Sequence, residues 1–145
     1  MRSGKGQKRL FRGGISVLIL VLASCQTPYP GNHPKPPPAG EEEMRAYAEK
    51  VCVKPEAGFS YSDCIYLSEL QYGIQRNFYG SKQYAGRECT LTIRYNEKGR
   101  YDVQSTAGDE LLCKKAWSVV SSAENLPPPP QSIPKSMVLI FKPAG

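Results

Sequence analysis

The chain has a single histidine among its 145 residues, His33, and that residue lies in a proline-rich stretch. Neither a Ser-His nor a Cys-His pair is therefore available for nucleophilic catalysis. The carboxylates Asp109 and Glu110 are better explained as charges at the start of a helix, and the chain lacks a glycine-rich phosphate loop. We expect a binding or structural module rather than an enzyme, with no catalytic residues, no cofactor and no small-molecule substrate.

The cysteines are spaced too widely for a typical zinc site. The last four lie 12, 25 and 24 residues apart, whereas zinc sites use CxxC-type pairs, and no histidine lies near them. We expect no metal. In an oxidising compartment an even set of four predicts two disulfides, and spacing alone leaves three pairings open. These four are Cys52, Cys64, Cys89 and Cys113.

The apolar run near the N-terminus, Ile15 to Leu22, is too short to span a bilayer, which needs about 20 residues. Basic residues precede it, and Leu22-Ala23-Ser24-Cys25 closes it. This layout predicts a lipoprotein signal peptide over residues 1–24, with lipidation at Cys25. The alternative is an uncleaved anchor, or an ordinary signal with a chance cysteine. No aspartate follows Cys25, so we expect a lipid-anchored protein of the outer membrane that faces the periplasm.

The positive charge of the chain belongs mostly to this signal. Lysine and arginine number 19 against 13 acidic residues, and five of the basic residues lie between Arg2 and Arg12. From Cys25 onward the balance is 14 against 13. The basic composition therefore gives no argument for nucleic-acid binding, and we expect none.

Two regions follow the signal. Residues 25–40 hold the lipid anchor and a proline-rich tether, which we expect to be extended because proline lacks the backbone donor. A spacer is favoured over a docking motif. Residues 41–145 form one domain, a length that suffices for a single small core.

The domain contains apolar patterns typical of three helices and three strands. Apolar residues at helical spacing predict a first helix that starts at Glu41 and a second that Ser60 caps. A third helix follows Asp109, and residues 89–103 alternate as a β-hairpin. Met137 to Phe141 predicts a last strand. The predicted buried faces are Met44, Tyr47, Ala48 and Val51; then Leu67, Leu70, Ile74 and Phe78; then Leu112, Cys113, Ala116, Trp117 and Val120.

The order helix, helix, strand, strand, helix, strand predicts an α+β fold. We expect a three-stranded antiparallel sheet with the helices packed on one face. A sheet of three strands leaves two edges, and an open edge invites an added strand.

Several segments resemble the C-terminal domain of TolA, the cell-envelope integrity protein. The longest begins at Tyr84-Ala85-Gly86-Arg87-Glu88 and continues to Ile93, at the start of the hairpin. The others are Asn77-Phe78-Tyr79, Gly108-Asp109 with Leu112-Cys113, Leu126-Pro127 with Pro129, and Phe141-Lys142-Pro143. Together they cover roughly residues 62–143. We expect no counterpart of TolA's inner-membrane helix or long helical middle domain in this protein.

The resemblance implies a fold similar to the C-terminal domains of TolA and TonB. It implies that Cys89 pairs with Cys113, which leaves Cys52 for Cys64. It also implies protein recognition in the periplasm, with TolB- or Pal-like envelope proteins and with colicin or phage coat domains as partners.

We therefore predict a periplasm-facing lipoprotein for cell-envelope integrity and for bacteriocin and filamentous phage uptake. The predicted protein-binding residues form the last strand: Met137, Val138, Leu139, Ile140 and Phe141. The alternatives are a purely structural envelope lipoprotein, or a decoy that sequesters Tol-Pal components or phage and colicin domains.

Overall fold

A computed structural model describes residues 34–144 of the chain. The predicted signal peptide, Cys25 and the first part of the tether, including His33, lie outside the described residues. Lipidation and its membrane location therefore stay predictions. Within residues 34–144, no helix has both the length and the apolar character that a membrane crossing requires.

Three helices and three strands make up the described part of the chain, and the predicted α+β fold is confirmed. A short 3₁₀ helix, Ser81–Tyr84, links the second helix to the sheet. The elements, in chain order, are α1 (Glu41–Val51), α2 (Tyr61–Asn77), β1 (Cys89–Tyr95), β2 (Tyr101–Gly108), α3 (Glu110–Ser122) and β3 (Ser136–Phe141).

The two predicted helix caps are present. The Ser60 hydroxyl accepts a hydrogen bond from the backbone N–H of Asp63 at 3.1 Å, at the start of α2. The Asp109 carboxylate accepts from the N–H of Leu112 at 2.9 Å, at the start of α3. That bond, with help from the Arg87 guanidinium, holds the pKa of Asp109 below its ordinary value. Each cap satisfies a backbone donor that the helix leaves without an internal partner.

The three strands form one antiparallel sheet in the order β2-β1-β3. The hairpin turn depends on Asn96, whose side-chain oxygen accepts from the N–H groups of Lys98 and Arg100. Gly99 adopts φ +77°, a conformation that glycine tolerates best. The register between β1 and β2 shifts between Thr92 and Ile93, so β2 carries a bulge that the alternation did not predict.

The core lies between one face of the sheet and the helices α2 and α3. Leu91 and Ile93 on β1 are fully buried there, and Leu70 of α2 and Leu112 of α3 meet them. The single-face arrangement is therefore right for these two helices.

Helix α1 packs mainly along α2, and its predicted buried face is a correction. Because α2 is its one neighbouring helix in the described part of the chain, α1 buries only a narrow stripe, here Met44 and Ala48. The predicted core residues Tyr47 and Val51 are 37% and 50% exposed. Tyr47 instead stacks beside Tyr72 of α2, with ring centroids 4.7 Å apart.

Trp117 is a second correction. Its spacing predicts that it lies on the buried side of α3, but it is 48% exposed. The buried residues of α3 include Cys113, Ala116 and Val120, which share one stripe. Trp117 follows Ala116 and is rotated about 100° away from it around the helix axis.

The disulfides are Cys52–Cys64 and Cys89–Cys113, the pairs that the resemblance implies. The first joins the end of α1 to the first turn of α2. The second joins the start of the central strand to α3. Each bond therefore ties a helix to its packing partner.

Close packing at Gly73 brings α1, α2 and the segment after α3 together. A Cβ atom at this position would lie 2.6 Å from Leu126 Cδ2 and 2.9 Å from Met44 Sδ. Glycine at this position destabilises α2 by about 1 kcal/mol relative to alanine. It also permits the close approach of these two side chains.

Candidate protein-binding edge

Strand β3 lies at an edge of the sheet, where one side of its backbone has no partner strand among residues 34–144. The pairing with β1 runs without interruption from Arg94 opposite Ser136 to Cys89 opposite Phe141. Six successive residues therefore form a regular edge. A regular, unpaired edge presents N–H and C=O groups to any added strand.

The hydrogen-bond pattern decides which of these groups point outward. The N–H of Tyr95 donates to the carbonyl of Lys135 at 2.9 Å, so the backbone carbonyl of Lys135 points toward β1. Antiparallel pairs alternate between bonded and non-bonded positions. Met137, Leu139 and Phe141 therefore bond to β1, whereas Ser136, Val138 and Ile140 direct their backbone groups away from the sheet.

The other edge, β2, is less regular. Its register against β1 changes near Gln104, where two residues of β2 face one residue of β1. A bulge of this kind twists an edge and interrupts a row of hydrogen-bonding groups. Of the two edges in the described sheet, β3 is therefore better suited to accept a strand.

A groove of about 890 Å³ runs along β3, between it and α2. Leu67, Ile74 and Phe78 line it from the helix, and Leu139 and Phe141 line it from the strand. The rings of Phe78 and Phe141 meet edge to face with centroids 5.7 Å apart. A strand added to β3 would direct every second side chain into this groove.

The opposite face of β3 also carries apolar surface. Val138 and Ile140 are each 59% exposed, on the face of the sheet away from the helices. Their cross-strand neighbours on β1 are Thr92 and Thr90. An added strand would extend this face as well, so both of its faces would gain contacts.

A tyrosine cluster supports β3 from within. The hydroxyls of Tyr66 and Tyr101 lie 2.7 Å apart, and the Tyr101 hydroxyl donates to the carbonyl of Pro127 at 2.7 Å. Tyr66 also contacts the sulfur of Met137. Burial is the main cause that raises the pKa of both tyrosines above the ordinary value. The contact with Met137 lies on the inward face of β3, away from its unpaired edge.

The helical spacing predicts Leu67 and Phe78 in the core, but both are only partly buried and line the groove. The same spacing does not predict a role for Gln71 and Gln75, which complete the helix side of the groove. The sequence contains a pattern that indicates this groove. The apolar residues of α2 cover two adjoining faces, one marked by Tyr66 and Leu70 and the other by Leu67, which is more than one packing contact requires.

Other chemistry is sparse in residues 34–144. They contain no group of three or more histidine, cysteine, aspartate or glutamate side chains that could hold a metal ion. A second cavity of about 590 Å³ lies between α1 and the segment after α3, and its lining includes Glu41, Glu42, Glu49 and Glu69 with Arg45. Arg45 already forms ion pairs with Glu49 and Glu69.

The fold and the edge together define a small α+β binding domain with one regular open strand beside an apolar groove. The chain belongs to the TolA C-terminal family, whose model matches residues 57–139, more than half of the chain. The match includes α2, β1, β2, α3 and most of β3. Helix α1 and Cys52 lie before the matched residues, so the Cys52–Cys64 disulfide joins an added helix to the family domain.

Proposed function

We propose that this protein is a lipid-anchored, periplasm-facing lipoprotein of the outer membrane that binds proteins by adding a partner strand to β3. The family supports a TolA-like protein-binding role. The observation that carries the proposal is the outward-facing backbone of Ser136, Val138 and Ile140 beside the groove. We also infer that the protein is not an enzyme.

The proposed partners are TolB- or Pal-like envelope proteins, and colicin or phage coat domains that exploit the same edge. The protein would thereby serve cell-envelope integrity and bacteriocin and filamentous phage uptake. Strand addition suits several unrelated partners, since affinity comes largely from main-chain hydrogen bonds and asks little of a partner's sequence.

The test compares the full chain with Val138→Pro, using purified TolB as the probe. Proline removes the N–H that points away from the sheet and should abolish binding while leaving the β1–β3 ladder intact. Val138→Ala is the matched control, because it shortens the side chain but keeps the N–H. It should bind TolB within a few-fold of the unchanged chain.

Leu139→Pro supplies a second comparison. The N–H of Leu139 points toward Leu91 of β1, so its removal should lower the melting temperature rather than act on binding alone. Normal TolB binding by a folded Val138→Pro chain would show that β3 is not the docking edge. Calorimetry or surface plasmon resonance gives the affinities, and thermal melting shows that each variant is folded.

A further inference from the structure

The charges around β3 define the chemistry of the strand that it accepts. Lys135 immediately precedes β3 and Lys142 immediately follows it. Both side chains are exposed. Arg94, the β1 residue opposite Ser136, adds a third exposed positive charge near the start of the strand. The edge therefore has a basic group at each end and an apolar centre.

Glu88 forms an ion pair with one of these lysines, Lys142. Its carboxylate lies 3.4 Å from the Lys142 ammonium, and the two side chains are 56% and 67% exposed. An ion pair this exposed contributes little, on the order of 0.2–1 kcal/mol. Lys142 therefore remains able to attract a carboxylate on an incoming strand.

The groove favours apolar side chains over basic ones. Its lining is largely apolar, with Gln71, Gln75 and Ser81 as neutral polar groups, and Lys142 is the one charged residue among the described residues that line it. A lysine or arginine directed into the groove would lose solvation and approach Lys142, and the described lining offers it no carboxylate. Aliphatic and aromatic side chains meet no such penalty.

The same charges disfavour a second copy of this chain as the occupant. An antiparallel pair of β3 strands centred on Val138 would place Lys135 of each copy opposite Phe141 of the other. Lys135 would then lie beside Lys142 of the second copy, at both ends of the new ladder. Like charges at these positions are repulsive, and lysine at an edge is a common protection against self-pairing.

From this arrangement we infer that the occupant of β3 is an extended protein segment with apolar residues at alternate positions and acidic residues at both ends. The inference rests on the proposed strand addition and names its partner class. Apolar side chains would enter the groove, and carboxylates would meet Lys135 and Lys142, which are separated by about 23 Å along an extended strand.

Two capped peptides of about nine residues, long enough to reach both lysines, test the inference on the full chain in neutral detergent. Both alternate threonine and leucine, and they differ only in having glutamate or lysine at each end. At low salt the glutamate peptide should bind roughly tenfold more tightly, because two weak attractions replace two repulsions. The difference should vanish near 1 M salt, where the screening length is about 3 Å.

Charge reversal on the protein gives the matched comparison. Lys135→Glu with Lys142→Glu should invert the order of the two peptides. Lys50→Glu with Lys54→Glu, an equal charge change at the end of α1, should leave the order unchanged. Both peptides should lose binding to Val138→Pro.

Each remaining outcome counts against a stated claim. Equal low-salt affinities that are both lost in Val138→Pro would overturn the inference and leave strand addition standing. Undiminished binding of the glutamate peptide to Val138→Pro would overturn the proposed function as well. No binding of the glutamate peptide at millimolar concentration would refute the inferred partner class. A dimer in sedimentation that Val138→Pro abolishes would identify a second copy as the occupant.

Discussion

The Cys89–Cys113 disulfide should contribute a large share of the stability of this domain. Cys89 begins the central strand, Cys113 lies near the start of α3, and both are buried. Their bond closes a loop that contains the whole β-hairpin, over a sequence separation of 24. Chain entropy assigns such a loop about 3.5 kcal/mol, against the 5–15 kcal/mol that typically stabilises a domain.

The perturbation is the double change Cys89→Ala with Cys113→Ala, which leaves no free thiol. At about 4 °C per kcal/mol for a domain of this size, the melting temperature should fall by roughly 15 °C. Circular dichroism follows the transition, and far-ultraviolet and aromatic signals should fall together because the bond joins the sheet to the core.

The second disulfide provides the control. Cys52→Ala with Cys64→Ala opens a shorter loop, with a sequence separation of 12, for which the same relation gives about 3 kcal/mol. The bond holds α1, however, and α1 packs mainly along α2. We therefore expect α1 to open locally while the sheet melts later. Limited proteolysis should cut within residues 41–56 before the rest.

Two results would refute this reasoning. If the Cys89/Cys113 variant melts within about 3 °C of the unchanged chain, less than 1 kcal/mol was lost and the loop-closure account is wrong. If instead the Cys52/Cys64 variant loses as much and shows no early cleavage, α1 is an integral part of the cooperative core rather than a helix fastened to its side.

Two further predictions concern the tyrosine cluster and the membrane anchor. Because the folded-state pKa values of Tyr66 and Tyr101 are raised, their contribution to stability is complete below about pH 10, the ordinary tyrosine pKa, and is lost as the pH rises above it. Urea unfolding between pH 7 and 11 should show this loss, and Tyr101→Phe should reduce its slope while lowering stability at pH 7 by about 1 kcal/mol; equal slopes would contradict the assignment. Cys25→Ala should abolish palmitate labelling and leave an unprocessed precursor, and the unchanged protein should fractionate with the outer membrane. Labelling that persists in this variant would show that Cys25 is not the lipidated residue.

Local patterns in the sequence were sufficient for the elements themselves. Ser60 and Asp109 cap helices because the hydroxyl and carboxylate reach backbone donors a few residues away. The alternation from Cys89 to Tyr95 predicts one buried face, and Leu91 and Ile93 occupy it. These properties depend on neighbours in the chain, so they can be deduced before any tertiary contact is known.

The corrections to the predicted buried residues all depend on which parts of the structure pack against a helix. Tyr47, Val51 and Trp117 have apolar side chains at helical spacing, yet each is at least 37% exposed. Spacing indicates which residues share a face, but the width of the buried stripe depends on how many neighbours cover it. Among residues 34–144, helix α1 has one neighbouring helix, α2, and nothing covers the side of α3 that carries Trp117 closely enough to bury it.

For the binding edge too, some properties could be predicted from the sequence and others depend on the tertiary structure. The sequence by itself determined that Met137 to Phe141 is a strand, and the family resemblance pointed to protein recognition. Only the tertiary structure decided that this strand lies at an edge, that Val138 and not Leu139 directs its N–H outward, and that α2 supplies a groove beside it. Strand order and the direction of each backbone group follow from long-range pairing, which depends on all three strands at once and leaves no local trace in any one of them.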